Sequence, residues 1–157
     1  MRPLFDITVM RQPGCPSKPT KATLAKLFAR AWRLAVIDRG AAVAGAAQRR
    51  KRFAVDVLLV TDREIARLNR RHLKHSGPTD VLSFPMGEFD PERQAYNLGE
   101  IVASFDTARR EARARTLPFN QELCRYCVHG FLHLLGYEDD TDILRDALFG
   151  VQEKALE

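Results

Sequence analysis

Apolar and polar positions alternate over residues 4–10, which predicts a strand, and residues 11–20 form a Pro/Gly-rich connection. Leu24, Leu27, Phe28, Ala31, Leu34 and Ala35 then recur at helical spacing, with Thr20 placed to cap that helix. Phe53, Val55, Val57 and Leu59 alternate with Ala54, Asp56, Leu58 and Val60, a second strand. Thr61-Asp62-Arg63-Glu64 has capping-box form, so a helix begins at once. On that helix Ile65, Leu68 and His72 share one side, and Arg63, Arg67, Arg70 and Lys74 line another. A polar loop over residues 74–79, containing Gly77-Pro78, leads to short strands at 81–84 and 98–103. A charged helix over 105–117 stops at Pro118. Asn120 is placed to cap the next helix, which runs to Leu135, and a final helix covers 141–156. Residues 40–52, Ala-rich and then basic, read equally as a connection or a helical extension.

Strands mixed with helices, the first strand far from the rest, predict a single α+β or three-layer domain. Its sheet has about four strands, packed with about five helices. The length of 157 residues fits one domain, and 45% hydrophobic residues suffice for a core. No apolar run reaches the ~18 residues of a membrane span. The N-terminal residues show no signal-peptide hydrophobic region. Three cysteines are too few for a disulfide scaffold, so a reducing cytoplasm is expected.

The net charge of +5 is unevenly spread. Residues 1–52 carry twelve Lys/Arg against two Asp/Glu, whereas residues 53–157 carry thirteen against eighteen. The basic part includes Arg49-Arg50-Lys51-Arg52. A polyanionic partner such as RNA fits this balance, and so does a solvated basic loop.

The chemistry concentrates in His129-Gly130-Phe131-Leu132-His133, followed by Gly136-Tyr137-Glu138-Asp139-Asp140. Histidines four apart project from one helical face, one turn apart. On a helical wheel they share a polar stripe with Glu122, Arg125 and Tyr126, while the rest of the helix is apolar. Such a stripe suits a cleft better than open solvent. Gly130 inside the helix costs ~1 kcal/mol relative to alanine, which points to close approach of a substrate or of another element. Two imidazoles and a carboxylate suit zinc or a similar divalent ion with a fourth position free. Asp139 is placed to return to the histidines after Gly136; Glu138, Asp140 and Asp142 compete, and Asp139 or Asp140 can instead cap the last helix. Gly130 stands where a zincin protease carries its catalytic Glu, which disfavours that class. Cys124 and Cys127 form a C-x-x-C pair, but they point away from the histidines and read as core thiols.

These segments resemble the YbeY family of bacterial endoribonucleases and rRNA maturation factors. The resemblance rests on His129 to Tyr137, on Gly77-Pro78-Thr79-Asp80-Val81-Leu82-Ser83-Phe84-Pro85, on Leu98-Gly99-Glu100-Ile101-Val102-Ala103-Ser104, and on Leu68-Asn69 ahead of them. It covers roughly residues 55 to 154. It implies a mixed α/β fold with a helix-borne zinc site, one ion per chain. It also implies cleavage of single-stranded RNA in 16S rRNA 3′-end maturation and ribosome quality control, hence rRNA and the ribosome as partners, with neither DNA nor membrane. The family's ligands are three histidines in H-x3-H-x5-H spacing. The first two carry over to His129 and His133, and the third position is Asp139. Two further departures stand out: Leu73, where the family often has arginine, and Glu100 in place of an aspartate. Arg67, Arg70, Arg71 and Lys74 are the residues expected to hold the RNA backbone. Glu138 and Glu100 are candidates for the general base, which the sequence does not otherwise identify. The alternative is a non-catalytic ribosome-assembly or RNA-binding factor whose metal site is structural or lost.

Overall fold

Alternating residues build the sheet. The computed structural model describes residues 3–39 and 51–157, so most of the segment with two readings, residues 40–50, lies outside it. Four strands, β1 (Leu4–Arg11), β2 (Arg52–Val60), β3 (Val81–Asp90) and β4 (Ala95–Ser104), pair in the order β1-β2-β4-β3. β1, β2 and β4 run parallel, and β3 is antiparallel to β4. Five helices among the described residues complete the chain: α1 (Lys21–Arg39), α2 (Asp62–Leu73), α3 (Phe105–Ala114), α4 (Phe119–Leu134) and α5 (Asp142–Leu156). The result is the expected single α+β domain.

Side chains on alternate positions of β2 enter different cores, because successive residues face opposite sides of a sheet. Phe53, Val55, Val57 and Leu59 join the main core with α1, α4 and α5. Leu58 and Val60 face the other way and pack with Ile65 and Leu68 of α2 and with Leu82, Phe84 and Val102. Thus α4 lies on one face of the sheet and α2 on the other. Phe28 and Phe131 stack face to face at 4.4 Å, joining α1 to α4 at the centre of the main core.

Thr20 and Thr61 cap their helices as expected, each accepting from the backbone N–H three residues on. Only half of the capping box forms. The Thr61 N–H donates to Gln12 Oε1, and Glu64 turns instead to Arg67. Asn120 does not cap α4: the cap position falls two residues earlier, at Pro118, and the buried Asn120 Oδ1 has no hydrogen-bond partner among the described residues. The third strand continues past Pro85, where the pattern stops. As an edge strand, β3 tolerates a residue without an N–H, at a register shift between Pro85 and Glu88.

No helix among the described residues is long and apolar enough to cross a membrane.

A candidate metal centre on the central helix

Helix α4 is held tightly against the sheet, and Gly130 permits this. A Cβ at that position would lie 2.7 Å from Ile101 Cγ2, 3.0 Å from Ser83 Oγ and 3.1 Å from Val81 Cγ2. The Gly130 carbonyl accepts a 3.0 Å bond from Ser83 Oγ. Of the two approaches compatible with this glycine, the structure contains the packing one. The polar stripe of α4 rises beside β3, at the edge of the sheet.

The turn after α4 brings the acidic segment back. Gly136, with φ of +93°, closes a Schellman motif: its N–H bonds to the His133 carbonyl at 3.0 Å, and that of Tyr137 to the Leu132 carbonyl at 3.0 Å. Tyr137 is then buried, and its hydroxyl donates to Asp38 Oδ2 at 2.7 Å. The Arg39 guanidinium covers the Tyr137 ring at 3.7 Å and donates to the Gly136 carbonyl at 3.2 Å. The C-terminal end of α1 therefore fixes the turn that precedes Asp139. Thr141 caps α5, which leaves the Asp139 carboxylate uncommitted to that role. Arg145 holds the Asp139 backbone carbonyl at 3.1 Å.

Three sequence-predicted residues converge here. The Nε2 atoms of His129 and His133 are 3.0 Å apart, and Asp139 Oδ2 lies 3.6 and 3.5 Å from them respectively. The other ring nitrogens are committed. His129 Nδ1 lies 2.8 Å from Gln152 Oε1, and His133 Nδ1 lies 2.8 Å from the Tyr137 carbonyl. Both partners accept, so both Nδ1 atoms carry the proton; the Gln152 amide is oriented by its own donation to Glu153 at 3.0 Å. With Nδ1 committed in this way, Nε2 is the ring nitrogen each imidazole turns towards the other and towards the carboxylate. Two imidazole nitrogens and a carboxylate oxygen converging in this way are a donor set for a cation. Burial holds the His129 pKa below its ordinary value; the Gln152 bond opposes this, and the neighbouring His133 adds to it. A tetrahedral ion with ligand bonds of ~2.0–2.2 Å has ligand–ligand edges of roughly 3.3–3.6 Å. The two His–Asp139 edges, 3.6 and 3.5 Å, match, and the 3.0 Å edge between the imidazoles needs to open by only ~0.3 Å to seat a metal ion.

Two hollows meet at this trio. One, of about 400 Å3, is lined by Leu73, Thr79, Val81, Ser83, Pro85 and both histidines, among others. The other, of about 570 Å3, is lined by Arg115, Glu122, Arg125, Tyr126, Phe149 and Gln152, among others. Asp80, His129 and Asp139 border both.

Other expected site residues lie elsewhere. Arg67 and Arg70 line a separate depression with Gln12, Thr61 and Arg63, and Arg67 is paired with Glu64 at 2.6 Å. Arg71 and Lys74 are exposed and line neither hollow at the histidines. Leu73 does line one, with 49% of its surface exposed. The two base candidates fare poorly. Glu100 projects from β4 with Asp56, on the α2 side of the sheet, where burial and the Asp56 charge raise its pKa against the pull of His72. Glu138 is exposed and borders neither hollow. Asp142 is 94% exposed and paired with Arg145. Cys124 is buried, its thiol pushed up to about 11 by desolvation, and Cys127 is raised by burial as well, as expected of core thiols. Sequence reasoning missed Gln152 and Asp80. Gln152 becomes visible only once α5 packs on α4, whereas Asp80 sits inside a motif already noted.

The profile of the family described as endoribonuclease YbeY matches residues 21–157. A protein of Aquifex aeolicus named endoribonuclease YbeY is 42% identical over 74% of this chain and 77% of its own length. One from Persephonella marina with the same name is 35% identical over 66% of this chain and 68% of its own. A third, from Anaeromyxobacter dehalogenans, is 46% identical over 60% of this chain, which spans 48% of that longer relative. With the helix-borne histidine pair, the returning carboxylate and this breadth of similarity in hand, the chain belongs to the endoribonuclease YbeY family.

Proposed function

We propose that this protein is a zinc-dependent endoribonuclease that cleaves single-stranded RNA in the maturation of the 16S rRNA 3′ end, at the ribosome and in the cytoplasm. The carrying observation is the pair of Nε2 atoms 3.0 Å apart facing one carboxylate oxygen, a cluster with the donor atoms to hold a cation. His129, His133 and Asp139 would hold the ion. When bound it supplies an acidified water and a polarised phosphoryl oxygen. The imidazole and carboxylate donors of this set lean towards zinc, and the carboxylate in place of a third imidazole shifts preference towards harder ions.

The chain's own residues supply orientation. Gln152 and the Tyr137 carbonyl hold the imidazoles in the Nδ1–H tautomer, which keeps both Nε2 atoms available. Asp80, bordering both hollows, receives the Val81 N–H at 2.8 Å and the Thr79 hydroxyl at 3.2 Å on one oxygen, Oδ1. It replaces Glu100 and Glu138 as the carboxylate placed to take a proton beside the centre. Arg70, Arg71 and Lys74 bring positive charge near the Leu73 wall and serve the RNA backbone away from the reacting phosphate. Arg67, neutralised by Glu64, contributes less.

The test combines metal analysis with cleavage. Wild type is expected to carry near-stoichiometric metal and to cut single-stranded RNA in a chelator-sensitive way. Asp139→Ala is expected to lose metal, and Asp139→His to keep it. His133→Ala is expected to abolish cleavage while the fold persists. A wild type that takes up no zinc, or a folded His133→Ala that cleaves at the wild-type rate, sinks the assignment. RNA affinity that survives both chelator and His133→Ala, without cleavage in any sample, identifies a binding factor instead.

A further inference from the structure

The larger hollow beside the centre has an unusual lining. Its cations are matched: the Glu122 carboxylate, 2% exposed, takes Arg125 at 2.6 Å and Arg115 at 3.3 Å, and Glu153 takes Arg125 at 2.8 Å. Two arginines thus face two glutamates, and Asp80 and Asp139 add negative charge on the metal side. No positive excess is left for a phosphate. The wall also carries an aromatic ring in a place where burial does not explain it. Phe149 of α5 is 42% exposed, yet its ring centroid lies 6.1 Å from that of His129. The ring of Tyr126, only 5% exposed, lies deeper in the same hollow. About 570 Å3 falls within the ~300–1,000 Å3 of small-molecule sites.

An aromatic-walled pocket with no positive excess, one ring's distance from the candidate metal centre, suits a nucleobase better than a sugar-phosphate. Bases stack on exposed aromatic side chains, and their edges require both donors and acceptors. Arg115 engages Glu122 through Nη1, and among the described residues its other N–H groups take no side-chain partner, which leaves them for such an edge. We propose that the hollow between α4 and α5 is a base-binding subsite in which Phe149 stacks on the nucleobase next to the scissile phosphate, with Arg115 and Glu122 at the base edge. This rests on the endoribonuclease reading above. It divides the cleft by chemistry: the base goes to the α5 side, and the backbone continues past Leu73 towards the basic end of α2.

The experiment uses metal-loaded protein and a series of single-stranded RNA oligonucleotides, each with one base removed at a successive position around the cut. For wild type, removal of one particular flanking base is expected to raise KM about 5- to 100-fold, the range typical of a lost base–aromatic stack. Phe149→Ala is expected to raise KM on intact RNA similarly, with kcat held, and to be indifferent to that same missing base. Phe149→Trp, which keeps a ring, is expected to retain the wild-type pattern. Metal content and melting temperature of both variants check that the centre and fold are intact. A flat profile across the abasic series, or a Phe149→Ala protein that still discriminates the missing base, overturns the subsite while leaving the nuclease reading standing. Absence of cleavage of every oligonucleotide by wild type overturns the nuclease reading and the subsite with it.

Discussion

Replacing Gly130 by alanine tests whether the close seat of α4 on the sheet sets the geometry of the centre. The new Cβ would meet Ile101 Cγ2 at 2.7 Å, where carbon atoms prefer ~3.5–4.0 Å. Ile101 is fully buried on the sheet's second inner strand and has no room to retreat. The helix must therefore lift, on the order of 1 Å by that deficit. Overpacking of this kind costs ~1–3 kcal/mol. Loss of the Ser83 bond to the Gly130 carbonyl adds ~1 kcal/mol. Better helix propensity returns ~1 kcal/mol. The net is a destabilisation of about 1–3 kcal/mol, or roughly 3–10 °C in Tm for a chain of this size. A misplacement of ~1 Å beside the reacting groups lowers the rate on the order of 100-fold. Gly150→Ala on α5 is the internal control. A Cβ there meets nothing within 4 Å, so the same substitution is expected to stabilise by ~0.5–1 kcal/mol. Thermal melts with and without metal, metal titration and RNA cleavage read the comparison. A Gly130→Ala protein as stable as Gly150→Ala, with unchanged metal affinity, refutes the argument that this contact seats the helix.

Gln152→Ala removes the acceptor that fixes the His129 tautomer and is expected to weaken metal affinity about 10- to 100-fold, measured by competition with a metallochromic chelator; because Gln152 is buried and the His129 N–H loses its partner, it is also expected to cost ~1–3 kcal/mol of stability. Tyr137→Phe deletes the hydroxyl bonded to Asp38 and is expected to cost ~1 kcal/mol, read by urea unfolding, because Asp38 is near solvent and can be rehydrated. Asp6 is acid-sensitive in a defined direction. Burial pushes its pKa up, but the hydrogen bond and charge of Arg93, with Lys21 and Arg52, hold it below 3.8 in the folded state. Its contribution is therefore fully present above that value and is lost as pH falls through the depressed folded pKa. The stability difference between wild type and Arg93→Ala is expected to be constant above about pH 5 and to narrow below 3.8, by urea unfolding across pH. A difference that widens in acid would contradict the sign.

The sequence by itself determined most elements and the histidine pair of the candidate centre, and left several carboxylates open as the third member. Period-two alternation marks β1 and β2, helical spacing marks α1, and the histidine spacing places two imidazoles on one face of α4, because each of these is a property of local backbone geometry. Gly136 announces a left-handed cap, and with it the direction in which Asp139 returns. What local pattern does not encode is partnership between distant elements. That Gln152 meets His129, that Asp38 and Arg39 hold the turn before Asp139, and that Asp80 borders both hollows depend on how α1, α5 and β3 pack around α4. The same reason separates Glu100 from the centre. One residue away on β4, Ile101 faces α4, while Glu100 points to the opposite side of the sheet, a distinction set by strand register. The arginines of α2 were legible as a charged stripe. Only the packing of α2 on the far face of the sheet decided that Leu73, rather than any of them, lines the cleft at the histidines.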